Sequence, residues 1–285
     1  MNPPNSHLLL IVVGAFVGAG TASAAALWFA GFFPPVGSAG GPQYCNVLRL
    51  PVYGTIVTFR PPTEPRDPSN DPSNPDQPPV PDTSFAVSGE IEDSLRMASA
   101  DQNVKALLVD VDSGGGGAVA GLEIAAAIKK FGKPSAAVIH EMGASSGYLV
   151  ATAADILFAS EASSVGSIGT TYSYVSQYEK NKKEGYRFES LSSGPYKDMF
   201  SADKPLTDAE RALIMRDIKI DRDNFVQRVA EYRRQPVEKI DALADGSSML
   251  GEQALENGLI DRLGGTEEAL AYLEQAIGEP PVLCY

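Results

Sequence analysis

The run Gly143-Ala144-Ser145-Ser146-Gly147-Tyr148 sets two serines among small residues, between the apolar segments 135–139 and 149–154. Its predicted local structure is a strand that turns sharply into a helix. A serine at such a bend presents its hydroxyl beside backbone amides that stabilise developing negative charge, and a nucleophile placed there lacks only a base. Close packing is the competing explanation of the small residues, and Ser145 or Ser146 also suits a helix N-cap.

Histidine is the usual base for a serine, but only His7 and His140 occur. His7 precedes a long apolar stretch, and His140 lies five residues before Ser145 on the same predicted strand, where its ring is not presented to the bend. A lysine substitutes when a desolvating pocket lets a neutral amine exist near pH 7. Lys197 is the candidate: Tyr196, Met199 and Phe200 surround it in sequence, and Gly194-Pro195 can aim it. Lys180, Lys182 and Lys183 fall in a charged segment, and Lys204 sits between Asp203 and Pro205, so these read as solvated.

Four glycines, Gly114 to Gly117, close the apolar run 104–111. They lack the Lys-Ser/Thr of a P-loop and the GxGxxG dinucleotide spacing. Their expected use is to let backbone N–H groups approach a substrate carbonyl oxygen, with an oxyanion hole at Gly115 and Ser146 and with Gly114 and Gly116 shaping the turn. A plain surface turn is the alternative, but the carboxyl end of a buried strand is where α/β sheets place ligands. Ser167, in the small-residue loop 163–170, is a candidate to hydrogen-bond and orient Lys197.

These residues need a scaffold. Strand, glycine turn, helix, strand and helix follow one another over 104–154, and such repeated β-α units imply an α/β fold with a mostly parallel sheet. A helix is predicted from Thr83 or Ser84 to Ala98, another over 174–184, and a strand over 187–191. Thr207-Asp208-Ala209-Glu210 is a capping box opening a long helix that ends before Pro236.

The chain has 285 residues, 44% of them hydrophobic, enough for a full core. A net charge of -13 argues against nucleic-acid partners bound through phosphates. Cys45 and Cys284 are the two cysteines, so no thiolate cluster suggests zinc; they fit a disulfide or two free thiols equally. After a flank over 1–7, the 26 residues 8–33 carry no charge and read as one N-terminal transmembrane helix, with Trp28, Phe29, Phe32 and Phe33 placed like an interfacial belt. A cleaved signal peptide is the alternative, since Ala22-Ser23-Ala24 resembles a cleavage site. A spacer over 34–46 then leads to a body over 47–278 and a tail over 279–285. Nine prolines among residues 61–81 predict an extended, disordered loop over 60–82 within that body.

Five motifs together carry a family resemblance. They are Asp110-Val111-Asp112-Ser113-Gly114-Gly115-Gly116, Ala144-Ser145-Ser146-Gly147-Tyr148, Gly166-Ser167-Ile168-Gly169, Ser193-Gly194-Pro195-Tyr196-Lys197-Asp198, and Gly251-Glu252-Gln253-Ala254 with Gly258-Leu259-Ile260-Asp261-Arg262-Leu263-Gly264-Gly265. The chain resembles the signal peptide peptidase A family, membrane-anchored Ser/Lys serine peptidases with a Clp/crotonase-like fold. The resemblance implies Ser145 as nucleophile and Lys197, 52 residues later, as general base, with the oxyanion turn at Gly114 to Gly116. It also implies unfolded or membrane-derived peptide substrates such as cleaved signal peptides, a ring-like homo-oligomer, a single-pass membrane protein with an extracytoplasmic catalytic domain, and no metal or cofactor. Two positions depart from the family pattern. Ser146 stands where a glycine is usual, which leaves open which serine attacks, and Gly114 stands where a proline is usual, which loosens the turn. A catalytically inactive relative serving as a membrane scaffold or peptide-binding module, and a crotonase-like acyl-CoA enzyme, are the other classes compatible with these motifs.

Overall fold

The computed structural model describes residues 44–61 and 85–284. The predicted anchor over 8–33, its flank, most of the spacer and the proline-rich loop from residue 62 lie outside the described residues. Among the described residues no helix is long and apolar enough to cross a membrane.

In chain order the elements are β1 (Val47–Val57), β2 (Phe85–Val87), α1 (Ser88–Ala100), β3 (Ala106–Gly116), α2 (Ala118–Lys130), β4 (Ser135–Ala144), α3 (Ser146–Ala151), β5 (Ile156–Ala159), β6 (Ser164–Gly166), α4 (Tyr178–Lys183), α5 (Asp208–Arg233), α6 (Val237–Leu243), β7 (Ser248–Leu250), α7 (Gly251–Glu256), β8 (Arg262–Leu263), α8 (Thr266–Ile277) and β9 (Leu283–Cys284). The main path of the sheet runs β2-β1-β3-β4-β5-β8 with every neighbouring pair parallel. β6 extends it beside the end of β4, and β7 adds the one antiparallel pairing among the described strands. The α/β class with a mostly parallel sheet is therefore as the β-α repeat predicts.

The first halves of the strands are apolar on both sides because helices cover both faces there. Side chains alternate along β3: Leu107, Val109 and Val111 join one core with Ile124 and Ile128 of α2 and Tyr148 of α3, while Ala106 and Leu108 join a second core with Ala269 and Leu273 of α8. α8 covers only the first half of that second face. The second half carries Arg49 and Tyr53 of β1, Asp110 of β3 and His140 of β4.

Three local expectations give way to tertiary pairing. Residues 85–87, predicted as the start of a helix, instead pair with Thr55, Ile56 and Val57, and the helix begins at Ser88. No strand forms over 187–191, a stretch exposed throughout that has no partner strand among the described residues to satisfy its backbone. The helix expected over 174–184 contracts to Tyr178–Lys183. The long helix after the capping box is present as α5, with Thr207 and Glu210 exchanging both capping bonds. Lys204 donates to Glu210 as well, and together with the Thr207 amide it lowers that carboxyl to about 2.

Residues 279–284 of the predicted tail are part of the body. Cys284 is disulfide-bonded to Cys45, β9 pairs with the start of β1, and Asn46 bonds Glu279 and Pro280. The bridge closes 239 residues, so its removal releases the largest entropy available to a cross-link in this body. Cys284→Ser, or reductant, is expected to lower the unfolding free energy by about 2–4 kcal/mol. A denaturant titration of the oxidised and reduced protein checks this; identical midpoints would show that the β9 contacts alone fix the seam.

Candidate active site

β4 ends and α3 begins at Ser145, whose backbone sits at φ 52° and ψ -126°. A residue with a Cβ adopts such a conformation at a cost of roughly 1–3 kcal/mol, so its surroundings must hold it there. The Ser145 N–H donates to the Gly166 carbonyl at 2.9 Å, and its own carbonyl accepts the Leu149 N–H at 3.0 Å. Behind it α3 is wholly buried, and the Tyr148 hydroxyl donates to the Leu259 carbonyl at 2.8 Å, tying the helix to the chain between α7 and β8. Arg233, at the end of α5, grips Asp261 with two bonds of 2.8 Å, and Asp261 in turn accepts the Leu157 N–H.

The glycine turn lies against this corner. A Cβ on Gly115, which has φ 101°, would stand 2.7 Å from the Ser145 Cβ and 3.0 Å from the Ser146 amide nitrogen. On Gly116 it would stand 2.1 Å from the Ile56 carbonyl oxygen. Glycine is required at both positions by close backbone approach. Rather than ending before the glycines, β3 runs through Gly116. The Gly115 amide already donates to the Ser113 hydroxyl at 3.1 Å, so service as an oxyanion donor means sharing or releasing that proton. Ser146 is 6% exposed, and its hydroxyl faces the Gly116 and Gly117 carbonyls at 3.4 and 3.5 Å, whereas Ser145 is only half-buried. As the first residue of α3, Ser146 has an amide without an intrahelical acceptor.

β6 pairs with β4 in the register Ala144 to Gly166, which places Ser167 next to Ser145. Ser167 is likewise left-handed, with φ 50°, and its hydroxyl donates to the Gly246 carbonyl at 3.0 Å. Ser145, Ser146, Gly114, Gly115, Gly116 and Ser167 are thus brought together. Lys197 is not joined to them by any hydrogen bond. It is exposed on the stretch between β6 and α5, and among the described residues its ammonium makes no hydrogen bond or ion pair. That stretch carries Val175, Tyr186 and Leu191 at 82%, 69% and 103% exposure, with Tyr172 stacked on Phe200. Lys204, by contrast, is paired with Glu210 and Asp198.

A cluster the motifs did not signal lies on the half-open second face. The Asp110 carboxylate, 1% exposed, accepts from Arg49 Nε at 2.7 Å, from Arg49 Nη2, from the Tyr53 hydroxyl at 2.5 Å and from His140 Nε2. Burial alone would raise this carboxyl, but donation from Tyr53, His140 and Arg49 outweighs burial and holds it below the ordinary carboxylate value. The Tyr53 phenol, desolvated and donating to Asp110, is pushed up to about 12. Arg49, Tyr53, Gly54, Asp112 and His140 line an open depression of about 590 Å³ beside it. Alternation in the sequence was the available signal: Arg49 and Tyr53 share a strand face, and Asp110 interrupts an apolar run.

A Methanocaldococcus jannaschii protein named as a protease is 33% identical over 189 residues, 65% of this chain and 61% of its own length. An Enterococcus faecium protein bearing the name signal peptide peptidase SppA is 35% identical over 184 residues, 64% of this chain and 54% of its own. The chain thus spans between half and two thirds of the length of these curated relatives. Among solved structures, a ClpP1 mutant from Listeria monocytogenes aligns with 78% of this chain and 93% of its own at 15% identity and a TM-score of 0.48. The sequence profile of peptidase family S49 matches residues 127–278, more than half of the chain, and the chain belongs to that family.

Proposed function

We propose that this protein is a serine endopeptidase in which Ser145 is the nucleophile and Lys197 the general base. The observation that carries the reading is the strained backbone of Ser145, held at a strand-to-helix corner with Gly115 packed on its Cβ. Strain of this kind persists only where the fold over-determines it, and functional sites are where it concentrates. In the reaction the Ser145 Oγ attacks the peptide carbonyl carbon while its proton passes to the Lys197 amine. Backbone N–H groups of the glycine turn and of Ser146 stabilise the oxyanion. The C–N bond then breaks as the lysine returns the proton to the leaving amine, and water releases the acyl group by the same exchange.

The lysine has to be brought to the serine. Its stretch exposes large apolar side chains, which mark interaction surfaces, and a second copy of this chain is the occupant the reading requires. Packing there would desolvate the amine and favour its neutral form. A ring of such copies, anchored through residues 8–33 and acting on unfolded or membrane-derived peptides such as cleaved signal peptides, completes the proposal. The Cys45–Cys284 disulfide supports an oxidising compartment for the body. The exposure of Lys197 specifically favours one other reading, an inactive scaffold.

Mixing separates the two. Ser145→Ala and Lys197→Ala proteins, each inactive alone, are expected to recover cleavage of an unfolded protein when combined, because each supplies what its neighbour lacks. A wild type inactive across pH and detergent would favour the scaffold, and a Lys197→Ala protein of undiminished activity would remove the lysine from the mechanism.

A further inference from the structure

We propose that Ser113 is a positioning residue for the oxyanion turn, its hydroxyl tying a bulge in β3, and with it Gly114 to Gly116, to Gly54 of β1 beside the corner at Ser145. The inference rests on Ser145 being the nucleophile. Ser113 is 1% exposed, and a buried hydroxyl has to find partners inside the protein. It donates to the Gly54 carbonyl at 2.6 Å and accepts the Gly115 N–H at 3.1 Å, joining segments 59 residues apart.

The backbone explains why a side chain is needed there. The β1–β3 register shifts between Tyr53 and Thr55, where Ser113 and Gly114 of β3 together stand opposite Gly54 at φ 67°, and the β3–β4 register shifts between Val111 and Ser113. A bulge of this kind leaves a residue without its ladder partner. Both irregularities meet at Ser113, and its hydroxyl supplies the cross-link that the main chain gives up. α3 rests on the same residue, since a Cβ on Gly147 would stand 2.7 Å from the Ser113 carbonyl oxygen. One side chain in the bulge therefore touches β1 and the turn while its backbone supports the nucleophile's helix.

Without the hydroxyl, the Gly115 N–H is released from its resting acceptor but is no longer aimed, because the Gly114-Gly115-Gly116 peptides lose a fixed reference and glycine dihedrals offer little resistance to rotation. Ground-state peptide binding does not use that constraint, whereas oxyanion stabilisation does. The loss therefore belongs in kcat and not in KM.

The test is steady-state cleavage of an unfolded protein by the full chain as wild type, Ser113→Ala and Ser113→Cys, with melting temperatures measured in parallel. Cysteine keeps the shape of serine but is a weak hydrogen-bonding group, so it decides the matter alone if the alanine variant does not fold. Both variants are expected to lose roughly 10- to 100-fold in kcat with KM within about 2-fold of wild type. Values of kcat within about 2-fold of wild type, or a loss carried by KM, would overturn the proposal. A parallel Ser145→Ala protein separates the two layers. Residual cleavage there would retract the nucleophile, whereas an inactive Ser145→Ala beside fully active Ser113 variants would retract only the bracket.

Discussion

Ser145→Ala is expected to lower kcat by about 10⁴- to 10⁶-fold, the range seen when a nucleophile that acts with a base is removed. Ser146→Ala should stay within about 10-fold of wild type, because the Ser146 hydroxyl is turned to the Gly116 and Gly117 carbonyls and its backbone amide survives the change. The contrast answers the question raised by the serine pair. A Ser145→Gly protein adds a second arm: glycine relieves the penalty at φ 52°, so the inactive protein should melt higher than wild type. Kinetics and thermal melts on the three variants check this, and a Ser145→Ala enzyme that still turns over would end the assignment.

Asp110→Ala is expected to cost about 3 kcal/mol of stability. Removing one member of a buried charge cluster leaves its partners desolvated without their acceptor. The estimate stands at the lower end of the range because the Arg49 and His140 side chains keep 30% and 39% of their surface in water. For a body of this size the melting temperature should fall by roughly 6–12 °C.

The pH dependence follows from the two shifted groups. Asp110 is held below its ordinary value, so its contribution is present above about pH 4 and is lost as pH falls through the lower folded value. Tyr53 is raised, so its contribution is present below about pH 10 and is lost as pH climbs toward 12. The melting-temperature gap between wild type and Asp110→Ala should therefore narrow below about pH 4 and again above about pH 10. A gap that does not depend on pH at the acid end would mean that the carboxylate charge contributes nothing.

What the sequence carried and what it withheld divide along physical lines. The strand before Ser145, the helix after it and the capping box at Thr207 are local, since periodicity and turn chemistry act within a few residues. The family, too, is written in short motifs. Pairing between distant segments is a different matter. Residues 85–87 have a helical pattern but add to β1, because an open parallel edge at Thr55 to Val57 outweighs local propensity. Residues 187–191 alternate like a strand and find no neighbour. The disulfide could not be chosen over free thiols until β9 was seen beside β1. Ser113 and Asp110 lay inside a recognised motif, yet their roles depend on Gly54, Tyr53 and Arg49, which come from a strand more than fifty residues earlier.

The seam between β9 and β1 has a practical corollary for anyone handling the protein. Cys45 and Cys284 lie side by side near the start of β1, whereas Ser145 sits where the parallel strands finish, about 30 Å further along. A bead, dye or fusion partner grafted at either extremity of the body would stand at the opposite pole and leave the Ser145 corner unobstructed.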